Sequence, residues 1–326
     1  MALDRWGRII NYMRISITDR CNLKCVYCTP AGGARKLPKE ELLSFEEIER
    51  IVRAGAMIGV EKVRITGGEP LMRRDIDELI RMIGAIDGIH EITLTTNGTK
   101  LAEWAERLAK AGLDRVNVSL DSLREDRYRA ITGGDFHPKE ILRGIEIAEE
   151  VGLTPVKLNV VLMKGMNEDE VEDLARLTIE RPLHVRFIEL MPFAIAGSDH
   201  TIRFLSEKEV MGKLSHMDLE PVASRSSTSG PARYYRARGA LGLIGFISPI
   251  SHPFCSRCNR IRLSSDGKLR VCLASDEVID LKSAVRGGMK PADLAKIMLQ
   301  AVKSKPIGYK IKSGDAHIRA MTHIGG

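Results

Sequence analysis

The sequence predicts an α/β protein, an incomplete (βα) barrel of six parallel strands that carries a C-terminal extension. Three observations carry that prediction. Strand-like and helix-like segments alternate between residues 12 and 191, the strands alternate polar and apolar residues, and two groups of three cysteines stand near opposite ends of a 326-residue chain.

The first strand, Tyr12 to Thr18, delivers the chain to Cys21-Asn22-Leu23-Lys24-Cys25-Val26-Tyr27-Cys28. Cys21 and Cys25 are one helical turn apart, and Cys28 is near enough to complete a triangle around a soft-metal centre. Three thiolates satisfy three irons of a 4Fe–4S cube and leave the fourth iron open to a small chelating ligand. Two plainer uses compete. Disulfides need an oxidising compartment. MALDRWGRII has no apolar signal core and no apolar run approaches membrane-spanning length, which places the chain in the cytoplasm and off the membrane. Structural zinc wants four ligands, and no His or fourth Cys lies near Cys28.

Gly32-Gly33 and Pro38 then mark irregular structure, and Ser44-Phe45-Glu46-Glu47 has the pattern of a capping box opening a helix that runs to about Ile58. Strands come next at Lys62 to Thr66, Glu91 to Thr96, Arg115 to Leu120, Pro155 to Met163 and Leu183 to Met191. Helices between them cover Asp75 to Ile86, Leu101 to Ala111, Pro138 to Val151 and Glu168 to Glu180. Parallel strands covered on both faces usually run apolar throughout. Here Arg14, Ser16 and Thr18 share a face. So do Arg64 and Thr66; Thr93, Thr95 and Asn97; Asn117, Ser119 and Asp121; Lys157 and Asn159; and His184 and Arg186. Burying that many unpaired polar groups costs roughly 1–3 kcal/mol each. The common side is therefore read as an open lumen for a polar ligand, a solvated sheet face being the alternative. Any single cation there suits an ordinary ion pair. Arg14, Arg64, Lys157 and Arg186 together, without matching carboxylates, point to a polyanion. Gly67-Gly68-Glu69-Pro70 lies at the C-terminal end of the second strand, where backbone can approach a ligand closely.

Beyond Met191 the βα rhythm stops. Ser206 to His216 suits one more helix, Ser224 to Pro231 a loop and Tyr234 to Ile247 strand, which puts a domain boundary near residue 225 and divides the chain into 1–225 and 226–326. The second cysteine set is Cys255, Cys258 and Cys272. His252 could complete a zinc tetrahedron there, while a second cube with an open iron would place Arg260 and Arg262 beside it. With 44% hydrophobic and 29% charged residues the composition is that of a soluble globular protein. The net charge of +7 admits nucleic acid or a polyphosphate, but the basic residues are scattered rather than massed in a nucleic-acid-binding arm.

CNLKCVYC, RITGGEPLMRRD, LTTNG, NVSLDS, HPFCSRCNRIRL and GKLRVC together resemble the GTP 3′,8-cyclase family of radical S-adenosylmethionine enzymes, which open molybdenum cofactor biosynthesis; so does the terminal Gly325-Gly326. The resemblance spans nearly the whole chain. One departure is Ala194-Ile195-Ala196-Gly197, where that family has a Gly-Asn run. The resemblance implies a radical S-adenosylmethionine partial barrel with two 4Fe–4S clusters. Cys21, Cys25 and Cys28 would hold the first, and Cys255, Cys258 and Cys272 the second. Tyr27, Gly68, Ser119 and Met191 would bind S-adenosylmethionine. Arg14, Arg64, Thr95, Lys157, Arg260, Ile261 and Arg262 would bind GTP, with Arg186 a further candidate. Arg14 and the Gly325-Gly326 tail would take part in catalysis. A 5′-deoxyadenosyl radical would remove hydrogen from the ribose 3′ carbon, and that carbon would close on carbon 8 of guanine. The product is (8S)-3′,8-cyclo-7,8-dihydroguanosine 5′-triphosphate. The partners implied are GTP, an electron donor and a downstream pyranopterin-forming enzyme, with no nucleic acid and no membrane; a homodimer stays open. Two rival readings remain: a radical peptide-modifying enzyme with an auxiliary cluster, and a zinc-bearing nucleic-acid-binding protein.

Overall fold

The computed structural model describes residues 1–28, 36–192, 203–223, 228, 230–275 and 277–308. In chain order the elements are β1 Tyr12–Ser16, α1 Phe45–Met57, β2 Lys62–Thr66, α2 Ile76–Gly84, β3 Glu91–Thr96, α3 Leu101–Lys110, β4 Arg115–Ser119, α4 Glu125–Thr132, α5 Pro138–Glu150, β5 Lys157–Leu162, α6 Val171–Glu180 and β6 His184–Glu189. Then come α7 Glu207–Lys213, β7 Glu220–Val222, β8 Arg233–Arg236, β9 Leu243–Ile247, β10 Arg260–Leu263, β11 Lys268–Arg270, β12 Ile279–Asp280, α8 Leu281–Arg286 and α9 Pro291–Lys303.

All twelve strands form one sheet in the order β12-β11-β10-β1-β2-β3-β4-β5-β6-β9-β8-β7. The six strands expected from the βα rhythm run side by side in sequence order and in parallel. The C-terminal region extends this partial barrel on both edges. β10 joins β1 in parallel and β9 joins β6 in parallel, with antiparallel ribbons beyond each. The strand material expected over Tyr234 to Ile247 forms the antiparallel pair β8 and β9.

The alternation along each strand decides the layering. In β5, Leu158, Val160 and Leu162 are buried while Lys157, Asn159 and Val161 keep some access. The apolar set of every barrel strand joins one continuous core with the inward faces of the helices, including Ile48, Ile51 and Val52 of α1 and Leu101, Ala105 and Leu108 of α3. The capping box at α1 is formed, with Ser44 N donating to Glu47 at 2.8 Å and Glu47 N to the Ser44 hydroxyl at 3.2 Å.

Three helices are not expected from the sequence: α4, α8 and α9. α4, half of it charged, buries only Tyr128, Ile131 and Thr132. Its last carbonyls accept from the cysteine loop, Lys24 N to Thr132 O at 2.7 Å and Val26 N to Ile131 O at 2.9 Å. The irregular Gly32-Gly33 stretch, the Ala194–Gly197 departure, residue 225 and Gly325-Gly326 lie outside the described residues.

Candidate active site

A cavity of about 450 Å³ runs inside the partial barrel from the loops after β1 and β2 to the first residues of the strands, and all six cysteines line it. All six are free thiols. The first trio sits on the loop after β1, which is tied by backbone hydrogen bonds to the glycine turn after β2. Gly68 N donates to Thr18 O and Glu69 N to Arg20 O, both at 2.7 Å. A Cβ on Gly68 would stand 2.2 Å from the Arg20 carbonyl oxygen, so only glycine permits this approach. Glu69, 1% exposed, accepts from Leu71 N, the Thr96 hydroxyl and Asn97 N at 3.0, 2.7 and 2.7 Å. Asn97 in turn points its amide at Cys21 Sγ, 3.9 Å away. Tyr27 donates to Asp121 at 2.6 Å, and Asp121 also accepts from Val161 N at 2.7 Å. Burial, then the Asp121 charge and the neighbouring thiols, push the Cys25 thiol well up.

The second trio has the opposite surroundings. Arg8 donates to Cys255 O at 2.6 Å and to Pro306 O at 2.7 Å, and pairs with Asp4 at 2.5 Å. Lys305, 2% exposed, donates to Arg260 O at 2.7 Å and to Val271 O. Burial alone would raise the Cys258 thiol, but Arg260 and Lys305 outweigh it and bring it down to about 6. His252 turns to Glu207, 4.0 Å away, with its side chain 56% exposed, so it does not complete a zinc tetrahedron with this trio. Among the described residues no three His, Cys, Asp or Glu side chains are arranged to hold one metal ion. Three soft sulfur donors facing a cavity are a donor set that suits three irons of an iron–sulfur cube.

Between the trios runs the polar lumen. Arg14, Arg64, Thr95, Lys157, Arg186, Arg260 and Arg262 line it, as do Tyr27, Gly68, Ser119 and Met191. Ile261 does not. It is fully buried in the core on the opposite face of β10, so any part it takes in binding passes through its backbone. Arg64 donates to the Thr93 hydroxyl at 3.0 Å. With its amide turned to present oxygen, Asn117 accepts from Arg186 at 3.0 Å and from Arg64. The buried Thr95 hydroxyl, Asn159 Oδ1 and Arg186 Nε have no hydrogen-bond partner among the described residues, as expected where a polar ligand completes the bonding.

Sequence reasoning alone misses several lining residues: Tyr12, Lys62, Glu91, Arg115, Tyr234 and Lys305. Lys62 and Arg115 each lie two positions before a residue assigned to the lumen face, so the same alternation could have found them. Glu91 pairs with Lys62 at 3.0 Å and with Arg115, two cations outside the four expected to lack matching carboxylates. The other lining carboxylates are engaged locally; Glu189, for instance, accepts from Ile250 N and Ser251 N. Burial, reinforced by neighbouring Arg186, Arg115 and Arg64, pulls Lys157 down to about 6. Lys62, also buried, falls to about 7.

A six-strand parallel βα core with three thiols after its first strand and a glycine pair after its second defines the radical S-adenosylmethionine class. The model of the Radical SAM superfamily matches residues 15–178, and that of Molybdenum Cofactor Synthesis C matches residues 183–311. Among solved structures the fold is similar to Streptococcus suis SuiB bound to S-adenosylmethionine, with a TM-score of 0.64 and 18% identity over 92% of this chain and 67% of that one. Within the superfamily the chain belongs to the GTP 3′,8-cyclase family. It is 49% identical to the GTP 3′,8-cyclase of Pelotomaculum thermopropionicum, 49% to that of Alkaliphilus oremlandii and 48% to that of Moorella thermoacetica, each over 99% of both chains.

Proposed function

We propose that this chain converts GTP to (8S)-3′,8-cyclo-7,8-dihydroguanosine 5′-triphosphate, the reaction that opens molybdenum cofactor biosynthesis. The observation that carries the reading is the single cavity lined by both cysteine trios and by the cations between them. Cys21, Cys25 and Cys28 would hold one 4Fe–4S cluster and Cys255, Cys258 and Cys272 a second. S-adenosylmethionine held beside the first trio would supply the radical chemistry that hydrogen removal from the ribose 3′ carbon needs.

The chain's own residues position and protect. Tyr27, held by Asp121, together with Gly68, Ser119 and Met191 places S-adenosylmethionine beside the first trio. Arg64, Lys157 and Arg186 draw the triphosphate into the lumen and fix the ribose relative to it. Thr95 offers an unengaged hydroxyl on the same face. Arg14, Arg260 and Arg262 sit between phosphate and second trio, where the guanine edge would lie. Arg14 and the Gly325-Gly326 tail would act on the reacting nucleotide. The low-dielectric walls keep water and other quenchers from the radical. An electron donor starts each turnover, a downstream pyranopterin-forming enzyme takes the product, and the chain works in the cytoplasm. A peptide-modifying role is less well served, since a peptide has no use for this concentration of guanidinium and ammonium groups.

The test is anaerobic purification. The protein should be brown, contain about eight irons per chain, and convert GTP when given S-adenosylmethionine and a reductant, with the cyclic product identified by mass spectrometry. A colourless protein with stoichiometric zinc would overturn the reading.

A further inference from the structure

The floor of the lumen differs electrically from its walls. Arg64 and Arg186 are met by neutral acceptors, the Thr93 hydroxyl and the Asn117 amide, so their positive charge is left for a ligand. Beside them the situation reverses. Lys62 and Arg115, the first residues of β2 and β4, both contact the carboxylate of Glu91, the first residue of β3. Arg115 stands in register with Thr93, in the row of Arg64, whereas Lys62 and Glu91 stand one step deeper. Glu91 also accepts from the Thr228 hydroxyl at 3.2 Å, and Lys62 donates to Thr228 O at 3.4 Å, so a residue from the segment between β7 and β8 closes over the pair. Lys62 and Glu91 are partners in strand register, as are Arg64 and Thr93. Same-face residues two apart on a strand are separated by about 6.6 Å. The Glu91 carboxylate therefore lies about one such step beyond the level of Arg64.

Resting on the reading that the lumen takes GTP, we propose that Glu91 is a specificity-determining residue that sets how long a 5′-polyphosphate the site accepts. Arg260 and Lys62 both stand in register with Tyr12, so the second trio borders this same end of the barrel on its β10 side. A nucleotide whose base lies toward that trio runs its phosphates across the lumen, past Arg64, Lys157 and Arg186, towards Glu91. A triphosphate ends where the positive field is still uncompensated. A further phosphate would press its charge against the Glu91 carboxylate and would have to displace that carboxylate from both Lys62 and Arg115. Like charges brought together in a desolvated site discriminate strongly. Glu91 thus rejects longer anions, while Lys62 and Arg115 remain attractive enough at the end of the chain to hold a triphosphate.

The experiment compares GTP with guanosine 5′-tetraphosphate, by equilibrium binding to the anaerobically prepared protein and by turnover, in the wild type, Glu91→Gln and Arg115→Gln. Glu91→Gln keeps the shape and removes the charge. It should narrow the preference for GTP over the tetraphosphate by roughly tenfold or more, chiefly by tighter tetraphosphate binding. Arg115→Gln leaves the carboxylate less compensated and should widen the same preference. Because the two variants shift the ratio in opposite directions, general loosening of the barrel cannot imitate the pattern, and Arg115→Gln keeps the test decisive if Glu91→Gln does not fold. An unchanged ratio in either folded variant, with normal GTP conversion by the wild type, overturns the role of Glu91 alone. Failure of the wild type to bind or convert GTP overturns the proposed function itself.

Discussion

Arg14 on β1 stands in strand register with Arg262 on β10, and on its other side with Arg64 on β2. Three guanidiniums thus sit on neighbouring parallel strands spaced about 4.8 Å apart. Burial first, then Arg262 and Arg64, holds the Arg14 guanidinium well below its usual value. Like charges in such a row favour an anion beside them. The same pairing brings Cys258, two residues before β10, to the cavity that the loop after β1 also lines.

Removing the Arg14 side chain should therefore separate two activities. Arg14→Ala should lower GTP cyclisation by about 100-fold or more, while uncoupled cleavage of S-adenosylmethionine, monitored as 5′-deoxyadenosine release, continues at the first trio. Equal loss of both would place Arg14 in cofactor binding instead.

The trios should be separable in the same way. Cys258→Ala should remove about four irons per chain, abolish cyclisation and leave 5′-deoxyadenosine release intact. Cys25→Ala should remove that release altogether. Retained GTP turnover in Cys258→Ala would show the second trio to be dispensable.

GTP binding should take up protons. In the ligand-free lumen burial depresses Lys157 to about 6, so at pH 8 it is largely neutral. A bound polyphosphate favours the ammonium form and raises that value. Affinity should accordingly be greatest at or below about pH 6 and fall as the pH rises above it, by up to about tenfold per unit for the proton taken up. Calorimetry at pH 8 in two buffers of different ionisation enthalpy measures the uptake directly, and identical heats would refute it.

Arg8 should matter to the fold and to the second trio together. Its ion pair with Asp4 is buried, and its guanidinium reaches Cys255 O, Pro306 O and Ile307 O. Arg8→Ala leaves the Asp4 carboxylate buried and uncompensated, which costs about 3–5 kcal/mol. Denaturant unfolding should show a loss of that order, and anaerobic preparations should lose iron from the second trio before the first.

Much of this is written in the chain itself. The period-two alternation in each strand specifies the six-strand order and its polar face, because a strand with one buried face must segregate its side chains. The two cysteine spacings, the capping box at Ser44 and the glycine pair at Gly67-Gly68 are local patterns, legible from neighbouring residues alone. α4 escapes because its charged sequence carries little apolar periodicity; what makes it helical is its packing under the cysteine loop. Lys62 and Arg115 escape although they obey the same alternation as Lys157 and His184, which are likewise first in their strands.

What only the tertiary structure decided is the pairing of β10 with β1, and with it the meeting of two cysteine trios far apart in sequence. Parallel pairing between distant strands has no local signature. It depends on which exposed sheet edge each strand finds once the core has formed, a choice made by long-range packing rather than by neighbouring residues.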